Sequence, residues 1–139
     1  MRNTTCAAMT AAIEKILCSL GVLQDFMSRE EFAVRISNPP FMPLTIERHR
    51  NRVVVAHLFE QNGDLVPDPD QEFEIAADHT WIPVAIQHAI GTYHRAIEIR
   101  DGKRYANVRE YRDQIQFSRM WARNLIRQGF DKGTLERLA

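Results

Sequence analysis

Only two cysteines, Cys6 and Cys18, occur in the sequence, and both fall in its first helical segment. Twelve residues of straight helix separate two positions by roughly 18 Å, too far for a disulfide within that helix. So few thiols also exclude a zinc site of the multi-cysteine type, and they suit a reducing, cytoplasmic setting. Net charge is absent as well, because 18 Lys plus Arg balance 18 Asp plus Glu. No overall field draws the chain to nucleic acid or an anionic membrane, so electrostatic recognition has to be local. Glycines number six and form no Gly-rich phosphate loop, and neither a G-x-S-x-G elbow nor a Cys placed near a His supports nucleophilic catalysis. No run is long and apolar enough to span a bilayer. The apolar start is broken by Glu14 and Lys15 before a signal-like core develops, and it is read as a folded helix.

What is present fits one core. Hydrophobic residues make up 45% of the 139 positions, enough for a single α+β domain over 1–139. Met9, Ile13, Ile16, Leu17 and Leu20 recur at helical spacing between the candidate caps Thr4 and Thr5 and the stop Gly21. Residues 24–37 carry two signals. SREEF resembles a helix start capped by Ser28, whereas Phe32, Val34 and Ile36 alternate as in a strand; a short helix is the preferred reading. Pro39-Pro40 ends that region, and from Met42 the period becomes two. The segments LTIER, VVVAHLFEQ, EFEIA, TWIPVAIQH and TYHRAIEIR predict an antiparallel meander of about five strands, with a turn at Asp101-Gly102 into a short KRYANV. Helical spacing returns after Asn107, a good cap, and runs to Gly129 and Phe130. The expected fold class is therefore α+β, with an N-terminal and a long C-terminal helix packed on the sheet.

Six carboxylates crowd HLFEQNGDLVPDPDQEFEI, residues 57–75. Asp68, Asp70 and Glu72 alternate, so a hard-metal site is conceivable, but the ligand order of a calcium loop is missing. A turn at Asn62-Gly63-Asp64, with Pro67 and Pro69 holding the chain away from pairing, is the better reading, and no metal or cofactor is expected. The five histidines, at 49, 57, 79, 88 and 94, form no H-x-H or H-x-x-x-H pair. His57 reads as a core histidine on the face of Val53 and Val55. A small metal-dependent hydrolase would need His57, His88 or His94 together with acids of the 64–72 loop.

Arginine outnumbers lysine fifteen to three. At about 100° per residue, Arg109, Arg112, Arg119, Arg123 and Arg127 share roughly a quarter of the last helix, opposite Tyr111, Ile115, Phe117, Trp121 and Leu125. A solvated face would look the same; clustered guanidiniums also recognise phosphate and carboxylate. Arg48, His49, Arg50 and Arg52 form a second basic cluster at the first hairpin turn. Arg112, Arg119, Arg123 and Arg127, with Arg48, Arg50 and Arg52, are the candidate partner-binding residues. Glu110 and Asp113 flank the helical set and favour a protein partner over a long polyanion.

IERH, VAHLFEQNGDLVPDPDQEFEI, WIPV and SRMWARNLIRQGF together resemble an uncharacterised family of small single-domain proteins carried on bacterial plasmids, conjugative elements and phages. The resemblance covers roughly residues 42–130 and brings no catalytic residues. It implies a non-enzymatic accessory protein that binds and inhibits a host defence complex, in the manner of an anti-CRISPR. A nucleic-acid-binding module using the C-terminal arginine face is the alternative, and a homodimer is expected.

Overall fold

The computed structural model of the chain describes residues 4–88 and 92–139. Helix α1 spans Ala7–Ser19 and buries Met9, Ile13, Ile16 and Leu17, the stripe that the helical period picks out. It starts later than the Thr4/Thr5 caps imply. Cys6 occupies the cap position without a side-chain bond, and the Thr4 carbonyl instead accepts from the Tyr111 hydroxyl at 2.8 Å. Helix α2, Leu23–Ser28, is one short turn that ends at Ser28 where a helix start was expected. The alternation of Phe32, Val34 and Ile36 prevails, and strand β1 covers Glu31–Asn38. The physical reason is tertiary, because β1 gains a ladder on each side and buries all three of these side chains.

Strands β2 (Phe41–His49), β3 (Arg52–Gln61), β4 (Asp64–Ile75), β5 (Trp81–His88) and β6 (Thr92–Arg95) continue as an antiparallel meander. A C-terminal strand, β9 (Thr134–Arg137), pairs with the outer side of β1 and completes a seven-stranded sheet, two strands more than the sequence indicates. TLER has too little apolar periodicity to announce itself. It is placed by the αL glycine Gly129 (φ 81°) and the 3-10 turn Phe130–Lys132, whose Phe130 is fully buried. Between β6 and the last helix, β7 (Ile97–Arg100) and β8 (Lys103–Ala106) form a separate two-stranded hairpin, turned by Asp101 and Gly102 at positive φ.

The sheet separates its two faces by pairing register. One row runs Val34, Ile46, Val55, Gln71 and Ile86 across five strands, and beside it lie Phe32, Val53 and Phe73. This face joins the inner sides of α1 and α3 (Val108–Arg127) in the core, with Trp81, Ile115, Trp121, Leu125 and Phe130. The rows between them hold Arg35, Glu47, Arg52, Asp70, Glu72 and Glu74, which point away from that core. Asn107 caps α3 as its sequence position suggests, its Oδ1 accepting from the Glu110 N–H at 3.1 Å. Trp121 and Ile13 are both buried.

Candidate arginine-lined partner groove

Helix α3 divides its side chains sharply. Gln114, Ile115, Ser118, Trp121, Ala122 and Leu125 are buried, whereas Arg109, Arg112, Arg123 and Arg127 are exposed and Arg119 is half-buried. Among the described residues none of these five guanidiniums lies within 4 Å of a carboxylate, and none donates a hydrogen bond. Their donors face water.

Of the depressions along this helix, two are each lined by two of these arginines. One, of about 630 Å³, has Ala106, Val108, Tyr111 and Ile115 as its apolar wall, with Arg112 and Arg119 beside them. The other, of about 310 Å³, follows the seam with α1, where Ala8, Ala11 and Ala12 meet Ala122 and Ile126 under Lys15, Arg119 and Arg123. Arg119 lines both, so cations border an apolar floor along more than two turns of α3. Val108 stands 61% exposed, a large apolar side chain at the mouth of the first depression. The small alanines of α1 keep the seam shallow and open.

The hairpin arginines are placed differently. Arg48 lies on the core side of β2 and donates from Nη1 to the carbonyls of Phe26 (2.7 Å) and Met27 (3.2 Å), the open C-terminal end of α2. Its guanidinium also sits 5.6 Å from the Phe26 ring centroid, and its Nε donates to the Arg50 carbonyl at 2.7 Å. Arg50 adopts φ 56° in the turn and approaches Glu30 at 3.6 Å. Arg52, on the opposite face, holds Glu72 at 2.7 Å and Glu74 at 3.5 Å, and Arg104 from β8 closes on Glu74 at 3.0 Å. Neither depression along α3 is lined by Arg48, Arg50 or Arg52. The structure therefore brings Arg112, Arg119 and Arg123 together and sets the hairpin trio apart.

The acidic stretch forms no loop. Asn62 (φ 53°) and Gly63 (φ 85°) make a tight turn, and β3 and β4 pair on both sides of it, with Pro67 opposite Leu58. Pro67 thus pairs within a strand, where an unpaired segment was the expectation, while Pro69 has no partner in the ladder; Pro67 is tolerated there because, among the described residues, β5 pairs only from Asp70 onward. Asp70 has its carboxyl pushed up by burial first and then by Glu47 and Glu72. No group of three His, Cys, Asp or Glu among the described residues is placed to hold a metal ion.

His88 and His94 line one depression with Glu110 and Asp113, and His57 stands apart from them. His57 turns toward the core, its ring 5.5 Å from Trp121 and 5.6 Å from Phe130, with Nδ1 3.1 Å from the Met42 carbonyl. Burial lowers its pKa against the opposing pull of the Pro43 and Met42 carbonyls. His88 approaches Asp68 at 3.9 Å, and His94 approaches Glu110 at 3.3 Å. Among the described residues, of the acids in the 64–72 stretch only Asp68 lies within 4 Å of a histidine, and it does so as a single pair. Cys6 is buried, its thiol pushed up to about 11 by desolvation despite a hydrogen bond with Ser118, while Cys18 is exposed. No described helix is long and apolar enough to cross a membrane.

Sequence reasoning located the α3 cations but not their floor. Ala8, Ala11 and Ala12 carry no chemical signal, Ala106 is the last residue of β8, and Val108 opens α3 as a lone apolar side chain. Residues 11–131 match the model of a family described as a domain of unknown function, DUF6908. No curated protein and no solved structure matches the chain.

Proposed function

We propose, from the premise that the chain belongs to the DUF6908 family, that it acts by binding and not by catalysis, and that the groove along α3 receives an acidic, partly apolar segment of a partner protein. One observation carries the reading: Arg112, Arg119 and Arg123 line an apolar depression without a carboxylate partner of their own among the described residues. Guanidiniums satisfied by water can exchange that water for partner carboxylates in paired geometry, while Val108, Tyr111 and Ile115 supply apolar contact. A polyphosphate would use the same cations but leave the apolar floor unused, and Glu110 and Asp113 at the start of α3 would oppose it.

The partner is proposed to be a component of a host defence complex, which the protein would inhibit by occupying its surface. That step rests on the resemblance to proteins of mobile elements, since the family description names no activity. A labelled synthetic peptide alternating Asp and Glu with Leu and Phe, and a labelled 20-base-pair duplex, separate the two ligand classes by fluorescence anisotropy. The peptide is expected to bind at physiological salt and to lose binding when Arg119→Glu is combined with Arg123→Glu. Duplex binding that weakens steeply with salt, together with no peptide binding, would replace this reading with the nucleic-acid one. Capture from host lysate by wild type, lost in the double variant, then identifies the partner.

A further inference from the structure

The chain's formal neutrality hides a separation of charge. From Val53 to His94 there are seven carboxylates and no lysine or arginine. Within that span the β3–β4 hairpin outruns the sheet. Among the described residues, β2 pairs with β3 only as far as His57, opposite Leu44, and β5 pairs with β4 only from Asp70, opposite Gln87. Residues 58–67 therefore form a two-stranded arm, paired within itself through Leu58–Pro67, Phe59–Val66, Glu60–Leu65 and Gln61–Asp64. At about 3.4 Å per residue the arm is roughly 14 Å long. Cross-strand partners share a face, so one side carries Leu58, Glu60, Leu65 and Pro67, and the other carries Phe59, Gln61, Asp64 and Val66. Each side sets apolar residues beside one carboxylate. Leu65 is 55% exposed, and Glu60 and Asp64 are exposed at the tip.

An arm with an exposed tip, half-buried apolar sides and two edges unpaired among the described residues invites association. Pairing arm against arm would bring Glu60 and Asp64 of two copies together, like against like. The α1–α3 groove presents the complement: an apolar floor bordered by Lys15, Arg119 and Arg123, with Arg112 in the adjoining depression along α3, and no carboxylates among the residues that line either. We infer that the β3–β4 arm of one molecule seats in the α1–α3 groove of a second copy, and that the exchange is reciprocal, giving a two-fold dimer with two equivalent arm-and-groove contacts. The inference rests on the groove being a site for acidic, partly apolar segments. It adds that the chain supplies such a segment itself, so that a partner protein and the arm of the second copy compete for one groove.

Charge reversal tests the pairing, read by sedimentation velocity at tens of micromolar, with circular dichroism confirming that each variant folds. Wild type is expected at twice the mass of one chain, shifting toward monomer as salt rises. An arm variant, Glu60→Lys with Asp64→Lys, and a groove variant, Arg119→Glu with Arg123→Glu, are each expected to be monomeric. Mixed in equal amounts they are expected to restore the dimer, because lysine arms meet glutamate grooves and native arms meet native grooves. A monomeric wild type, a dimer that survives either reversal, or a mixture of folded variants that stays monomeric would each overturn the inference. A monomeric wild type that still binds the acidic peptide through Arg119 and Arg123 would overturn the arm contact alone and leave the groove reading in place.

Discussion

The arginines of the β2–β3 turn and those of α3 carry the same guanidinium chemistry, yet the fold engages only one set. Arg48 closes the end of α2, Arg50 turns the hairpin beside Glu30, and Arg52 joins Glu72 and Glu74 into a network with Arg104. Arg112, Arg119, Arg123 and Arg127 meet no carboxylate within 4 Å among the described residues, and the first three stand along an apolar groove. A cation that satisfies the chain's own carbonyls and carboxylates is held for stability. One that is left to water beside exposed apolar surface is available for recognition. Equal prominence in sequence thus conceals opposite surroundings.

Stability measurements sharpen the contrast from the core outward. On the inner face of α3, Trp121→Ala removes a side chain that is 4% exposed and touches His57 and Phe117. It is expected to cost about 3–5 kcal/mol by urea denaturation. Arg48→Ala opens the carbonyls of Phe26 and Met27 and is expected to cost about 1.5–3 kcal/mol, as loss of charged hydrogen bonds does. A cost near zero would place Arg48 with the unengaged set. Arg52→Ala leaves Glu74 with Arg104 as a remaining partner and is expected to cost about 0.2–1 kcal/mol. Arg119→Glu with Arg123→Glu is expected to change stability by no more than about 0.5 kcal/mol, because no internal bond is lost.

The pH dependence probes the same helix from inside. Burial holds the folded-state pKa of His57 below its ordinary value, so between that folded value and about 6.5 the unfolded chain binds a proton that the folded chain does not. Stability therefore rises with pH across this window and falls as the solution is acidified through it. His57→Gln removes the titration, and its denaturation midpoint is expected to vary less between pH 7 and pH 5 than that of wild type. Parallel pH curves for the two proteins would show that another group carries the dependence.

The legible parts of the fold were those set by local pattern. Asn107 and Gly129 bracket α3, Asn62-Gly63 and Asp101-Gly102 turn hairpins, and the stripe from Met9 to Leu17 marks α1. What local pattern left undecided was settled by neighbours distant in sequence. The SREEF capping signal lost to β1 because β2 and the remote β9 pair with Phe32–Ile36 and its surroundings. Pro67 entered a strand because, among the described residues, that stretch of β4 has no second neighbour demanding its missing N–H. In the candidate site the α3 arginines follow directly from 3.6-residue periodicity. The internal engagement of Arg48 does not, because its acceptors lie more than twenty residues earlier and become available only where α2 ends.

Binding of the acidic Asp/Glu–Leu/Phe peptide, measured side by side for wild type, Arg119→Glu with Arg123→Glu, and Arg50→Glu, tests the contrast most directly. All three proteins should be folded, since each change falls on side chains without a buried bond. The account predicts at least about a tenfold loss of affinity for the α3 variant and unchanged affinity for Arg50→Glu. Equal losses in both variants would show general attraction by surface cations, and a loss confined to Arg50→Glu would move the binding surface to the hairpin; either result contradicts the assignment of recognition to α3.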